Sequence, residues 1–472
     1  MDHRDGRITL DGETVRRLGY EIVDAIARRV DDLPERKVGE PATRAAMEAL
    51  LQEPAPEHGS DPHSVLETVL RDVVAPGLRV DHPRFFAYTP IPGNPVGALA
   101  DALVAGSSLF AGTWQGAPGA AMVELVTLEW LRDICGLPET TEGLFVSGGS
   151  MANMTALAVA LEERARGERA RATVYLSEEA HSSVTRALRV LGVQPEHIRT
   201  LAADDAGRLV TSQVAEEIDA DRAAGRLPAC VVATAGTTGT AAIDPLPELR
   251  RLCDDNGLWL HVDGAYGAAA MITTRGRALL RGIEAADSLT LDPHKWLFQP
   301  LEAGCLLVRD GAALERVFSV SPAYLRDTAG AEAEVNFAER GLQLTRQFRA
   351  LKLWMSIKVF GLEAYRTAID NGIDLAEHAE RLLARDPTWE IVTPAQLGMV
   401  TFRAVARGAP AHELDELNAR LPAAALADGF MYLTTTQARG MTVLRLCTIN
   451  PRTTREDVEQ VVERLRALVG RG

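Results

Sequence analysis

The sequence lacks the features typical of nucleic-acid-binding proteins, membrane proteins and disulfide-stabilised secreted proteins. Its 472 residues carry 50 Lys and Arg against 65 Asp and Glu, a formal net charge of −15 without a basic block to neutralise phosphates. No run of eighteen apolar residues occurs, and the first residues lack the apolar core of a signal peptide. The five cysteines form no Cys-x-x-Cys pair, which favours reduced thiols. We therefore expect a cytoplasmic protein that binds neither nucleic acid nor a membrane.

Motifs of several enzyme classes are also missing. There is no Gly-x-Gly-x-x-Gly after a strand, no phosphate loop ending in Gly-Lys-Ser or Gly-Lys-Thr, no His-Glu-x-x-His and no Gly-x-Ser-x-Gly. These absences argue against dinucleotide-binding proteins, nucleotide triphosphatases, zinc hydrolases and serine hydrolases. We expect no bound metal, because no His and Asp cluster of metal-site spacing accompanies the strand-end carboxylate discussed below.

What the sequence does contain is an alternation of short β-rich runs with helical or Gly-rich stretches between about residues 144 and 308. The predicted strands are Ala172–Leu176, Ala229–Thr234, Leu258–Val262, Ser288–Leu291 and Cys305–Val308. Such alternation is typical of a largely parallel sheet with helices on both faces. We therefore predict an α/β fold for this region.

Helical patterns flank the α/β region. Apolar residues at steps of three and four from Val15 to Val30 predict an amphipathic helix whose stripe needs a partner surface, which could be another subunit. A second helical pattern runs from Leu342 to Phe360 and is predicted to stop at Gly361. A smaller α+β unit is predicted after it, with helices 375–383, 413–421 and 454–468 and strands near Trp389, Met399, Met431 and Val443.

The first feature with chemical meaning is the turn Ser147-Gly148-Gly149-Ser150, which follows an apolar run and opens a helical stretch. Free backbone N–H groups and the positive end of the helix dipole would face an anion there. Taken alone, the motif is better explained as a purely structural glycine turn, since such turns are common before helices.

Three further side chains follow predicted strands. Asp263 ends an apolar strand, where it could hold a proton on a pyridine nitrogen, or act as an N-cap or a metal ligand. Lys295 could form an imine, since partial desolvation beside His294 is expected to lower its pKa, or it could be a solvated surface lysine. His181 could stack on an aromatic ring or simply cap a helix.

The order of these motifs resembles the group II pyridoxal-phosphate decarboxylases, the aromatic-L-amino-acid decarboxylase family. The matching motifs are Gly148-Gly149-Ser150, His181, the Thr-Ala-Gly-Thr-Thr turn ending at Thr238, Asp263-x-Ala265 and His294-Lys295-Trp296. Further likeness lies at His82 to Tyr88, Trp114, Ser321 to Leu325 and Arg346 to Lys352, so the resemblance covers nearly the whole chain.

This resemblance implies a fold-type I pyridoxal 5′-phosphate (PLP) enzyme with a mostly parallel seven-stranded sheet. It also implies a homodimer with active sites at the subunit interface. The expected domains are an N-terminal helical segment exchanged between subunits (1–80), a large PLP-binding domain (81–361) and a small C-terminal α+β domain (362–472).

The resemblance also implies roles for individual residues. Lys295 would form the Schiff base with PLP, Asp263 would pair with the pyridine nitrogen, His181 would stack on the ring, and Tyr324 would return a proton to the substrate's α-carbon. Gly149, Ser150 and Thr238 would lie around the phosphate and ring substituents, with Ala265 under the ring and His294 beside the phosphate. Asp292 stands where the animal enzymes carry Asn, and we include it among the cofactor-binding candidates.

Three positions bear on the substrate, a small amino acid. The resemblance places Ile91 where a threonine would face a ring hydroxyl, Gly112 where a phenylalanine would stand, and Phe110 as an apolar wall from the other subunit. Together with His181 they would form a larger, drier pocket, which favours tryptophan or phenylalanine over dopa.

Several different activities remain open. Within the family, an aromatic aldehyde synthase would use oxygen and release peroxide, although Tyr324 and His181, commonly changed in that class, are both present. The sequence is also compatible with a decarboxylase of an aliphatic or acidic amino acid, with an aminotransferase and with a catalytically silent regulator. The regulator would need a DNA-binding or effector module, for which the sequence offers no segment.

Overall fold

A computed structural model of the chain describes residues 8–320, 334–406 and 408–470. Its α-helices, α1 to α14, are Gly12–Asp32, Arg44–Leu51, Pro62–Thr68, Pro95–Ser107, Pro118–Cys135, Gly149–Ala165, Ser182–Val190, Thr211–Ala223, Leu246–Asn256, Thr274–Leu279, Ala312–Phe318, Ala350–Leu383, Ala411–Asp428 and Arg455–Val469. Its strands, β1 to β13, are Gly39–Glu40, Gly77–Leu78, Glu142–Val146, Ala172–Ser177, Ile198–Leu201, Leu227–Thr234, Trp259–Asp263, Ser288–Leu291, Gly304–Val308, Trp389–Gln396, Met399–Ala404, Thr434–Ala438 and Met441–Cys447.

The centre of the large α/β unit is a seven-stranded sheet in the order β3-β9-β8-β7-β6-β4-β5. Strand β9 is antiparallel to both of its neighbours, and the remaining pairs are parallel. The predicted mostly parallel sheet is therefore confirmed. The strand Ile198–Leu201 was not predicted; it pairs only with β4 at the sheet edge and is only partly buried, so its sequence lacks a continuous apolar run.

Helix α6 begins in the glycine turn at Ser147–Ser150 and packs against the central sheet. Its middle is rich in alanine, leucine and valine, and all residues from Thr155 to Leu161 are buried. A helix that is apolar around most of its circumference requires cover on several sides. Accordingly, α6 packs on strands β6, β7, β8 and β9 and on helix α7. Its first turn is thereby held at the carboxyl edge of the sheet.

The long helix α12 begins later than the sequence pattern predicts. The helix starts at Ala350 rather than near Leu342, and Leu344 is about half exposed. The residues before Ala350 instead make side-chain ion pairs and turns, which override the apolar spacing. Gly361 interrupts the helix with φ 74° and ψ 156°, a conformation that favours glycine, and the helix then resumes.

The C-terminal unit is a four-stranded antiparallel sheet in the order β10-β11-β13-β12, covered by α13, α14 and the second half of α12. Strands at Trp389 and Met399 and the last helix are confirmed. The strand expected near Met431 is β12, which begins three residues later at Thr434, and Met431 itself lies in the buried core. The boundaries 80/81 and 361/362 stay predictions.

The N-terminal segment leaves much apolar surface uncovered. Helix α1 has the predicted amphipathic character but contains no buried residue in a single chain. Val15, Tyr20, Ile22 and Val23 are all exposed, as are several valines of the segment 65–74. An apolar stripe of this kind marks an interaction surface. No helix in the part of the chain described here is long and apolar enough to cross a membrane.

A buried ion pair anchors the chain around the end of β3. Arg346 donates to both carboxylate oxygens of Glu124, at 2.9 and 2.6 Å, and to the carbonyl oxygens of Ala111 and Phe145. Glu124 in turn accepts the N–H of Phe145 at 2.9 Å. Both charged side chains are at most 1% exposed. The pair thus ties α5 and the segment before α12 to the strand that leads into Ser147.

Replacing Glu124→Gln should destabilise the fold strongly, because it leaves the Arg346 charge buried without a counter-ion. We expect a loss of about 3–5 kcal/mol in the free energy of unfolding, measured by urea denaturation. The matched control is Glu48→Gln, which breaks the exposed pair with Arg44 and should cost less than about 1 kcal/mol. Equal small losses in both variants would contradict this assignment.

Candidate active site

The carboxyl ends of the central strands surround a cavity of about 360 Å³. It is lined by Ser147, Gly148, Gly149, Ser150, Asn153, His181, Ser183, Thr234, Gly236, Thr238, Asp263, Ala265, Tyr266, Asp292, His294, Lys295 and Glu302. These residues end or follow β3, β4, β6, β7 and β8, or precede β9. The edge at which parallel strands end is the usual ligand site of an open α/β sheet. All the predicted cofactor-binding residues therefore meet in one place.

The glycine turn presents the start of α6 to this cavity. Gly148 is the N-cap residue, and no side chain caps the helix. A Cβ atom at Gly149 would lie 2.9 Å from Asp292 Oδ2 and 3.1 Å from the Ala265 Cβ, so a side chain there would narrow the cavity. Uncapped N–H groups at a helix start are suited to an anion. The hydroxyls of Ser147 and Ser150 line the same corner.

Lys295 points into the cavity but is not the neutral amine that the sequence predicts. Its Nζ lies 2.9 Å from Asp292 Oδ2. Burial lowers the pKa of Lys295, but Asp292 and Asp263 raise it by more, so its pKa lies above the usual value. The expectation of a lowered pKa was wrong, because the sequence could not show that two carboxylates would face the amine.

Asp292 and His294 lie beside this lysine. Asp292 is 2% exposed, and its Oδ1 has no hydrogen-bond partner among the described residues. His294 Nδ1 accepts the N–H of Ala303 at 3.1 Å, and its Nε2 lies 3.7 Å from Asp292 Oδ2. Burial lowers the pKa of His294. The cavity therefore contains an unsatisfied buried oxygen and a neutral imidazole, both available to a ligand.

His181 takes one of the two roles that the sequence left open and is placed where the other is possible. It is the N-cap residue of α7, where its Nδ1 accepts the N–H of Ser183 at 3.3 Å, and it also borders the cavity. Partial desolvation lowers the pKa of His181 despite the nearby Asp263. A neutral imidazole at the cavity wall is suited to stacking against a flat ring. That role stays a prediction.

Sequence reasoning missed a polar residue that touches Asp263. Asn153 lies one helical turn after Gly149 and donates from Nδ2 to Asp263 Oδ2 at 2.8 Å. The other Asp263 oxygen accepts the N–H of Ala265 at 3.1 Å. In the sequence Asn153 stands out only as part of a glycosylation sequon, yet it is 1% exposed. Its spacing of four residues from Gly149 was the signal that it would face the same edge.

The predicted substrate residues other than His181 do not line this cavity within one chain. Ile91 borders a separate groove between α1 and the start of α4, and Phe110 is 40% exposed. A Cβ atom at Gly112 would lie 2.6 Å from Phe110 Cζ, so the ring of Phe110 occupies the space beside this glycine. Gly112 therefore opens no free volume within its own chain. Tyr324 lies outside the described residues.

The groups around the cavity fit a small planar ligand that carries an anion. The uncapped helix start would take the anion, a carboxylate stands at the end of β7, an imidazole lines one wall, and a single lysine can react with a carbonyl group. No cluster of His, Cys, Asp and Glu able to hold a metal ion occurs among the described residues.

Comparison with known proteins gives consistent results. A model of the pyridoxal-dependent decarboxylase conserved domain matches residues 45–405. The chain is 45% identical over 463 residues to an aromatic-L-amino-acid decarboxylase of Bacillus atrophaeus, covering 98% of this chain and 96% of that protein. It is 31% identical to a phenylacetaldehyde synthase of Arabidopsis thaliana, over 98% and 97% of the two chains. A crystal structure of Oryza sativa TDC with PLP and tryptamine superposes with a TM-score of 0.94 at 26% identity, over 98% and 99% of the two chains.

Asp292→Asn should make Lys295 reactive at lower pH. Removing the nearest carboxylate lowers the pKa of the lysine, so the neutral amine is populated at a lower pH than in the unchanged chain. The rate of imine formation between cofactor-free protein and added PLP, followed by absorbance across pH, should shift accordingly. Asp221→Asn, at a buried carboxylate bonded to Tyr175 and Arg226, is the control and should leave the profile in place. An unshifted profile in Asp292→Asn would contradict the electrostatic account.

Proposed function

Since this chain belongs to the pyridoxal-dependent decarboxylase family, with the fold-type I architecture of the group II aromatic-L-amino-acid decarboxylases, we propose that it converts an aromatic L-amino acid to the arylalkylamine and carbon dioxide. PLP is its cofactor. The observation that carries the proposal is the meeting of Lys295, Asp263, His181 and the uncapped start of α6 in one cavity.

The described residues would hold PLP by complementary chemistry. The N–H groups at the start of α6, the Ser150 hydroxyl and His294 would bind the phosphate, and Thr238 would lie beside it. Asp263 would hold a proton on the pyridine nitrogen. His181 and Ala265 would lie on opposite faces of the ring, and Lys295 would bond to the aldehyde carbon.

Bound PLP supplies an electron sink for the negative charge left on the α-carbon when carbon dioxide departs. Asp263 would serve this chemistry through its carboxylate, which two N–H donors hold in place. Asp292 Oδ2 lies 2.9 Å from Lys295 Nζ and is placed to hold the amine proton. Tyr324 is proposed to return a proton to the α-carbon, where it would compete with water and oxygen for the same position.

For the substrate side chain we propose indole or phenyl rather than catechol. Ile91 offers no hydrogen bond to a ring hydroxyl, and a polar substituent without a partner weakens binding. In one chain Ile91 and Phe110 lie away from the cavity, so this preference requires a second subunit to bring them to it.

A homodimer is therefore part of the proposal. It is supported by the apolar groove of about 520 Å³ between α1 and the segment 66–75, lined by Ile22, Ile26, Leu66, Val69 and Val74. Apolar surface of this extent favours association between copies of the chain. A cytoplasmic location is supported by five cysteines that are all free and buried.

Incubation of the PLP-loaded protein with L-tryptophan, phenylalanine, tyrosine, dopa, valine and glutamate tests the activity. We expect amine and carbon dioxide in equal amounts, no peroxide, and higher kcat/KM for tryptophan or phenylalanine than for dopa. Lys295→Ala is the control and should abolish turnover, because no other lysine lines the cavity described here. Aldehyde with peroxide would make the protein an aldehyde synthase, and a preference for dopa would refute the substrate proposal.

Mixing two inactive variants tests the shared active site. If Phe110 serves the partner subunit, a heterodimer of Lys295→Ala and Phe110→Arg contains one site with both changes and one with neither. Co-refolded variants should then recover up to about a quarter of wild-type activity, as random pairing predicts. Each variant alone should be inactive, and mixing Lys295→Ala with Asp263→Ala provides the control that recovers nothing. No recovery with Phe110→Arg, or full activity of that variant alone, would overturn the interface proposal.

A further inference from the structure

A continuous hydrogen-bond network runs beneath the candidate active site. Its members lie on β7, β8, α6 and at the start of α7, and all except His181 are buried. In order they are Trp259, Ser288, His261, Asn153 with Thr290, Asp263 and Ser183, and His181. Most of these side chains lie outside the groups proposed to touch PLP, so the network needs another explanation.

The directions of the hydrogen bonds follow from groups that can only donate or only accept. The indole Nε1–H of Trp259 donates to Ser288 Oγ at 2.8 Å. Ser288 can then donate its own hydroxyl hydrogen to His261 Nδ1, also at 2.8 Å. Burial lowers the pKa of His261 to about 4, so its ring is neutral and carries one proton. His261 Nε2 faces Asn153 Oδ1, an atom that can only accept, so the ring proton is on Nε2 and Nδ1 accepts from Ser288.

The same hydrogen bonds hold the side-chain amide of Asn153 in one orientation. His261 Nε2–H donates to Asn153 Oδ1 at 3.0 Å, and Thr290 Oγ1 donates to the same oxygen at 2.7 Å. With its oxygen held on that side, the Asn153 amide presents both hydrogens to the cavity. One goes to Asp263 Oδ2 at 2.8 Å and the other to Ser183 Oγ at 3.1 Å.

The network then continues to the opposite wall. Ser183 accepts from Asn153 and can donate its hydroxyl hydrogen to His181 Nδ1 at 2.8 Å. His181 is thereby held as the neutral tautomer that carries its proton on Nε2. A flipped Asn153 amide would place its oxygen against the Asp263 carboxylate and remove the donor from Ser183. The network therefore connects Trp259 to both Asp263 and His181 with one consistent order of hydrogens.

We infer that Asn153 is a positioning residue, oriented by His261, that holds the Asp263 carboxylate aimed at the pyridine nitrogen of the bound cofactor. The inference deepens the proposed function, since it depends on Asp263 facing that nitrogen. Through Asp263, Asn153 affects the cofactor at one atom of the ring, the nitrogen. Loss of Asn153 should therefore weaken the recognition of that atom and leave recognition of the phosphate and the lysine bond intact.

The test compares PLP with its carbocyclic analogue, in which CH replaces the ring nitrogen. Dissociation constants for both are measured with cofactor-free protein by quenching of tryptophan fluorescence. The wild-type chain should bind PLP roughly 10- to 100-fold more tightly than the analogue, the usual effect of one charge-assisted hydrogen bond. Asn153→Leu should reduce this preference at least about fivefold, and His261→Phe about threefold, mainly by weakening PLP binding.

Asn418→Leu is the matched control. Asn418 is equally buried and bonds through its amide to Ala404 and Leu414, far from the cavity. This substitution should lower the melting temperature while leaving the preference for PLP over the analogue unchanged. If Asn153→Leu and His261→Phe fail to fold, Thr290→Val provides the test. This substitution removes one donor to Asn153 Oδ1 at nearly constant side-chain volume. It should lower the preference for PLP over the analogue about twofold.

Two outcomes separate the inference from the proposed function. Equal binding of PLP and its analogue by the wild-type chain would show that Asp263 does not pair with the ring nitrogen, and would overturn the proposed role of Asp263. A wild-type preference that persists in the Asn153, His261 and Thr290 variants would overturn the network inference alone. A preference lost equally in Asn418→Leu would also overturn it, because general destabilisation would then account for the effect.

Discussion

The arrangement of the site depends on the carboxylate of Asp263, which ends a fully buried strand. A charge in that position is costly unless hydrogen bonds compensate for lost water. Here the compensation comes from the Ala265 N–H and the Asn153 amide. Asn153 can reach Asp263 only because α6 lies across β7 and β8, and α6 begins where it does because the glycine turn follows β3. The buried carboxylate of Asp263 thus links the start of α6, the cavity wall at His181 and the central sheet.

In a single chain the groups proposed to hold the cofactor lie together, but those proposed for the substrate side chain do not. The groups proposed for PLP all border one cavity, whereas Ile91 and Phe110 lie at other surfaces. Uncovered apolar residues on α1 and on the segment 65–74 are consistent with a second copy completing the pocket. Cofactor chemistry and substrate choice would then be governed by different subunits, which lets substitutions at the interface change specificity without disturbing Lys295.

Most strands and the chemical nature of the site could be predicted, because strongly apolar strands and glycine turns are local features of the sequence. The failures have physical causes that are not local. The residues before Ala350 have helical spacing, but the Arg346 and Arg349 ion pairs hold them in another conformation. Lys295 was expected to have a lowered pKa, yet Asp292 lies 2.9 Å away and reverses the effect of burial. Spacing alone gives neither the distance nor the direction of a side chain.

By itself the sequence determined the α/β class, the family resemblance and the identity of the lysine, carboxylate and imidazole around the cavity, because each is encoded in a short stretch of chain next to a strand end. Only the tertiary structure decided which groups touch them. Asn153, His261 and Ser288 are up to 135 residues apart in the chain, by subtraction of their numbers, and become neighbours because α6 packs across adjacent parallel strands. Hydrogen-bond direction and charge balance arise from that packing.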